Sequence, residues 1–358
     1  MKRDLIKEIE KIDLSNTVKI IDILTYDFKD ELGINFKNIF IKMSNMTNVE
    51  KFLKYRIISS IKYQYTHTLI DCDTTDLTKN ILTRIYFKDK YDYVSVDENN
   101  RTYSLSNGSI FESDTMNSFQ TIFGAYMRCF IQREHVKKLN WSKLYGQDYN
   151  VNSINSYKEA ELYRNFWTLE NFNDIKLKAK DGKEREILDE LEIFAGLTHT
   201  VGNFALVPYK CNTYRGIDQR LSDYWDLSYD KFVNCTNIEK LSEDIVEKLR
   251  FKENKEKIKE KIIKSVKEYK NIKKIYDKFE IISKYRPTSK VYSGFVNDND
   301  INSDIEEEIY LNILKEINQF IIKRGINIIL DISQKSEKDL LVKNEELIQK
   351  VRNHFLKK

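Results

Sequence analysis

Glycine and proline are scarce, with ten and two among 358 residues. That scarcity disfavours sandwiches and dinucleotide-binding doubly wound sheets, which need glycine at many turns. Cysteine is rarer than glycine. Cys72, Cys129, Cys211 and Cys235 are widely separated and form no Cys-x-x-Cys or Cys/His ligand spacing, which argues against structural zinc. Scattered thiols suit a reducing compartment. A clear charge excess is lacking too: 60 Lys and Arg face 56 Asp and Glu, for a net +4. A dedicated nucleic-acid binder usually carries a larger basic surplus, although a local patch needs none. There is no run of about 18 apolar residues, and the opening MKRDLIKEIEKIDL has no apolar leader segment. The expectation is a cytoplasmic protein without membrane contact. Walker, Gly-x-Gly-x-x-Gly, Gly-x-Ser-x-Gly and His-Glu-x-x-His motifs are all missing.

What is present points to a folded, mostly helical protein. Hydrophobic residues make up 41% and aromatic residues 12%, enough for a large core. Apolar residues at helical spacing predict helices over 1–12, within 17–46, over 49–70, 115–133, 184–196, 309–329 and 337–355. A further long helix over 241–284 is expected to break near Asn254. Ser113 or Asp114 is the expected N-cap of the 115–133 helix, and Gly196 the glycine ending 184–196. Residues 81–113 alternate with period two and carry Asn107-Gly108, a strong hairpin turn, so they predict a small antiparallel meander. The fold class is therefore mainly α with a small antiparallel β element. A mixed domain over 1–240 is expected, with a helical region over 241–358 packed on it.

Leu197 to Gly216, LTHTVGNFALVPYKCNTYRG, concentrates what the rest of the chain lacks. It holds one of four histidines, one of two prolines and two of ten glycines, together with Asn203, Asn212 and Arg215. His199–Asn203 predicts a turn with Gly202 free to take positive φ, Phe204–Val207 a short strand stopped by Pro208, and Tyr209–Gly216 a loop or short helix. Such an order is expected to converge His199, Asn203, Asn212 and Arg215 on one face. An imidazole can act as general base or metal ligand, a carboxamide can bind metal or orient water, and a guanidinium can hold phosphate. The alternative is structural: His199 and Asn203 bond turn amides while Arg215 pairs with a downstream aspartate. DYWDL adds Asp223 and Asp226 at an i, i+3 step, able to bind a divalent cation or to clamp Arg215.

HTVGNFALVP, followed by Asn212 and Arg215-Gly216, resembles the HTIGNLTL…N motif in the HNH-like C-terminal domain of GmrSD-type modification-dependent restriction enzymes. The resemblance implies a turn asparagine at Asn203 and a metal ligand at Asn212, with Mg or Mn as cofactor. It also implies an acidic-His pair upstream with the His as general base. Glu134-His135-Val136 is the literal match, with His135 standing 68 residues before Asn203. Taken together, SDTMNSF, HTVGNFALVP, N-x-x-RG and DYWDL resemble a bacterial family that carries these motifs in this order and has no assigned reaction.

The function expected from this resemblance is a metal-dependent phosphodiesterase acting on nucleic acid, in phage defence or a mobile element. His199 or His135 would activate water, Asn212 with an aspartate would hold the metal, and Arg215 would stabilise phosphate charge. The competing class is a non-catalytic binding or inhibitory protein, with a protein partner, in which the same residues lock a turn. Two weaker signals complete the reading. Arg128 and His135 match the Arg-x6-His spacing of HEPN ribonucleases. Residues 251–284 hold 12 Lys against 6 Asp and Glu; the interleaved acids favour a solvated face over a phosphate track.

Overall fold

A computed structural model describes residues 4–31, 46–52, 72, 76–87, 93–97, 102–117, 122, 182–217, 232, 234–252, 254–271 and 307–356. His135, Arg128, the aromatic stretch 141–180, Asp223 and Asp226 lie outside the described residues, as does most of the expected 115–133 helix.

Helices α1 (Leu5–Glu10) and α2 (Thr17–Leu24) begin where the sequence supplies caps. Asp4 accepts from the Lys7 amide at 3.2 Å and Asn16 from the Lys19 amide at 3.0 Å. Then come α3 (Asp76–Phe87), β1 (Tyr93–Asp97), β2 (Thr102–Leu105), β3 (Ile110–Thr115) and α4 (Lys183–Leu197). A 3-10 turn at Val201–Asn203 leads into β4 (Phe204–Pro208) and α5 (Cys211–Ile217). The chain closes with α6 (Ile238–Lys248), α7 (Lys255–Asn271), α8 (Glu307–Ile332) and α9 (Asn344–Leu356). It is mainly α with a small antiparallel sheet.

The sheet order is β1-β2-β3-β4, every pair antiparallel. Gly108 takes φ 76° in the β2–β3 hairpin, as Asn107-Gly108 predicts. The β3–β4 register sets Glu112 opposite Val207 and Asp114 opposite Ala205 on one face. Phe111, Leu206 and Phe204 point to the other, where Phe87 of α3 and Phe28 meet Phe111 and Phe204 at 5.2 and 5.3 Å between ring centroids. Helices α5 and α7 lie against the Glu112 face. The 26-residue α8 is the spine of the other layer, packing on α4, α9, α1, α2, α3 and the 201–203 turn.

Four expectations change. The meander begins at Tyr93, because Ile81, Leu82, Ile85 and Tyr86 are buried at helical spacing and form α3. Ser113 and Asp114 are not caps: both lie in β3, paired with Leu206 and Ala205. Gly196 sits inside α4 rather than ending it, and a Cβ there would lie 2.3 Å from the Phe355 ring of α9. Gly202 does not take positive φ; a Cβ there would lie 2.1 Å from the Ile321 carbonyl oxygen of α8. Both glycines are close-approach residues. The break near Asn254 is present: Arg250 and Asn254 adopt φ of 52° and 56° between α6 and α7.

Candidate functional site

The HTVGN segment folds into the core. Asn203 is 0% exposed and His199 7% exposed. The Asn203 Oδ1 accepts from the Asn117 amide at 3.1 Å and from Asn117 Nδ2 at 3.3 Å. Its Nδ2 donates to the Asn117 carbonyl at 3.0 Å and the Thr198 carbonyl at 2.8 Å. Its backbone carbonyl accepts from the Met116 amide at 2.7 Å. One carboxamide therefore joins the end of β3 to the start of β4. SDTMNSF and HTVGNFALVP, distant in sequence, meet here through the β3–β4 ladder and the Asn117–Asn203 pair.

His199 is held by aromatic surfaces. Its ring stacks on Phe52 with centroids 5.6 Å apart and planes 18° apart, and on Phe204 at 6.3 Å. Its carbonyl accepts from the Phe28 amide at 3.1 Å. The buried Lys29 lies over the same Phe52 ring at 5.6 Å and pairs with Asp27 at 2.7 Å.

Below the turn sits Arg324 of α8, which sequence reading missed. Its side chain is buried, with Nη1 donating to the Val201 and Gly202 carbonyls at 3.2 and 2.9 Å and Nη2 to the Tyr86 hydroxyl at 3.1 Å. The fork ties α8, the 201–203 turn and α3 through carbonyl and phenolic oxygens rather than a carboxylate. A sequence signal existed: Arg324 occupies the stripe of Ile317, Ile321 and Ile328, where an apolar residue is due.

Asn212 lies elsewhere. Between Asn203 and Asn212 runs the whole of β4, which at about 3.3 Å per residue separates the two ends by roughly 17 Å. The structure thus places His199 and Asn203 at one end of the strand and Asn212 in α5 beyond the other. Arg215 also belongs to α5, and its side chain lies outside the described residues. Among the described residues no group of three His, Cys, Asp or Glu side chains is placed to hold a metal ion.

A second polar centre surrounds Glu112, which sequence reading also missed. It is buried on β3, two residues from Asp114 on the same face. Its Oε1 accepts from the Lys210 amide at 3.1 Å, and the Asn212 amide also donates to the carboxylate. Burial pushes its pKa up to about 7, opposed by the Lys210 charge and the two amides, while Asp114 adds to the rise. The carboxyl group thus covers the start of α5 from inside. The meander expected over 81–113 already includes Glu112, but what buries it comes from residues about a hundred positions later.

Helices α4, α8 and α9 meet at a further buried ion pair. Arg352 grips Glu190 with both guanidinium arms, Nη1 to Oε2 at 3.0 Å and Nη2 to Oε1, while Asn318 Nδ2 donates to Glu190 Oε2 at 2.9 Å. A groove of about 1190 Å³ runs between α8 and α9, lined by Phe320, Lys323, Asp331, Ile348 and Arg352 among others. None of its lining residues comes from 197–216. No protein family, curated protein or solved structure matches the chain.

Proposed function

We propose that the chain is a non-catalytic binding or inhibitory protein whose HTVGN segment is a structural node. The observation that carries this reading is the Asn203 carboxamide: 0% exposed, with both ends engaged by Asn117 and Thr198. A catalytic turn asparagine must face a substrate or a metal-bound water, and this one faces backbone. His199, 7% exposed between two phenyl rings, is closed to solvent in the same way.

The competing reading is the metal-dependent phosphodiesterase, acting on nucleic acid with Mg or Mn held by Asn212 and the aspartates of DYWDL. One observation favours it: Asn212 lies beside a near-neutral carboxyl group, Glu112, with Asp114 next to it on the strand. The two readings part in one assay. The purified chain is incubated with single-stranded and duplex DNA and RNA in Mg²⁺ and in Mn²⁺. The binding reading expects no hydrolysis, and it expects His199→Ala and Asn203→Ala to lower the melting temperature. Metal-dependent cleavage that Asn212→Ala abolishes at unchanged melting temperature would overturn it in favour of the phosphodiesterase.

A further inference from the structure

We propose that Lys210 and Lys261, beside Tyr209 at the corner between β4 and α5, and Lys264, beside the adjoining β2–β3 hairpin, form a contact surface for the phosphodiester backbone of a nucleic acid. The inference rests on the binding reading above and names the class of partner. Tyr209 leaves the end of β4 with its amide bonded to the Ile110 carbonyl at 3.1 Å. Lys210 Nζ lies 5.0 Å and Lys261 Nζ 5.9 Å from the centroid of the Tyr209 ring. The third lysine comes from the next turn of α7. A Cβ added at Gly108 would lie 2.9 Å from Lys264 Nζ, so the β2–β3 hairpin and α7 bring this ammonium beside the same edge. Ser265 fixes that approach: its Oγ accepts from the Ile110 amide at 3.1 Å.

Ammonium groups on neighbouring elements make a cationic edge that favours an anion. Two other lysines of α7 are engaged: Lys259 binds Glu256 at 3.1 Å, and Lys270 donates to the Cys235 carbonyl at 2.8 Å. Among the described residues, Lys210, Lys261 and Lys264 form neither an ion pair nor a hydrogen bond through Nζ. Glu112 lies within reach of the Lys210 charge, but it is buried beneath the corner and accepts the amides of Lys210 and Asn212. Lys210 moreover holds φ 63°, a left-handed conformation that glycine or asparagine adopts more easily. A long cationic side chain there is a local misfit that the fold alone does not require.

Phosphodiester is preferred over a carboxylate partner on two grounds. The groups are three compact ammonium charges with no guanidinium fork, a set suited to phosphate rather than to bidentate carboxylate recognition. The row also continues along the helix, with the exposed Lys257 four residues before Lys261 on the same stripe, while Glu256, one of the acids interleaved there, is taken up by Lys259.

The test is titration of the full chain with a fluorescent oligothymidylate and with a duplex of the same length, across a series of salt concentrations. Wild type is expected to bind with a salt-dependent affinity. Changing Lys210, Lys261 and Lys264 together to Gln is expected to reduce the slope of log K against log salt by about 2 for the single strand. Restoring charge with Arg at the three positions is expected to recover the slope. A charge-matched control carrying Lys11→Gln, Lys338→Gln and Lys343→Gln is expected to keep it. If the triple variant melts early, Lys264→Glu alone, at an exposed position, is expected to weaken binding. An unchanged slope in the triple variant, an equal loss in the control, or equal competition by polyglutamate overturns the proposal. If wild type binds no nucleic acid while Asn203→Ala still destabilises, the surface assignment fails and the structural node stands. Metal-dependent cleavage instead removes the non-catalytic reading and leaves the lysine surface intact.

Discussion

Glu112 and Lys210 are neighbours in space whose side chains meet the fold on opposite terms. Glu112 is ordinary in sequence and perturbed in place. Its carboxyl pKa rises from 4.5 in an unfolded chain to about 7 in the folded one. The folded state therefore holds a proton that the unfolded state releases, so the stability linked to Glu112 is complete below pH 4.5 and is lost as pH rises to about 7. Between about pH 4.5 and pH 8 that loss is on the order of 3 kcal/mol. Glu112→Gln is neutral throughout, so its unfolding free energy relative to wild type should improve by roughly that amount over the same range, as read by urea denaturation at both ends. Lys210 is strained in its backbone instead. Lys210→Gly relieves the left-handed φ and leaves the amide that bonds Glu112, so stability should rise by up to about 1 kcal/mol in thermal unfolding. The same change removes one ammonium group from the lysine surface.

At the scale of elements, glycines rather than charges decide how the helices meet. Gly202 lies under the α8 backbone at Ile321, and Gly325 of α8 approaches the Gly202 Cα at 3.7 Å from its own Cβ position. Gly202→Ala drives a methyl into a carbonyl oxygen that cannot swing away, and a loss of about 3 kcal/mol is expected. Gly196→Ala meets the Phe355 ring near the end of α9, a side chain that can turn aside, so about 1–2 kcal/mol is expected. Calorimetry of the two variants side by side checks the ordering. Arg352→Met strips the buried Glu190 of its counter-charge and should cost about 3–5 kcal/mol, loosening α9 from α4.

The same elements show what sequence alone conveys. The apolar stripes of α1, α2, α8 and α9, the Asn107-Gly108 hairpin, the short strand after Asn203 and the break near Asn254 all follow from local pattern, which composition and spacing encode directly. Asp114 as a cap failed because a Ser-Asp pair before an apolar run signals a helix start, whereas pairing with β4 is set by residues about ninety positions away. Gly196 and Gly202 failed similarly: their role is space for Phe355 and Ile321, which no local window contains. For the candidate site, the sequence singled out a segment that folds as a structural junction in the core. It could not show that Asn203 faces Asn117, nor that β4 keeps Asn212 apart from Asn203.

Across the whole molecule, the β3–β4 ladder joins two layers: the helices gathered on α8, and α5 with α7 on the Glu112 face. Asn203 stands where the ladder, the 201–203 turn and, through Arg324 and Gly202, the spine helix come together. Removing its carboxamide leaves the Thr198 and Asn117 carbonyls and the Asn117 amide without their partner in a dry interior. Equilibrium urea unfolding of Asn203→Ala beside wild type, in metal-free buffer, separates a structural Asn203 from a catalytic one. The structural node predicts a loss of about 2–4 kcal/mol, read as a lower midpoint at unchanged slope. An unchanged midpoint would contradict it and return Asn203 to the candidates for chemistry.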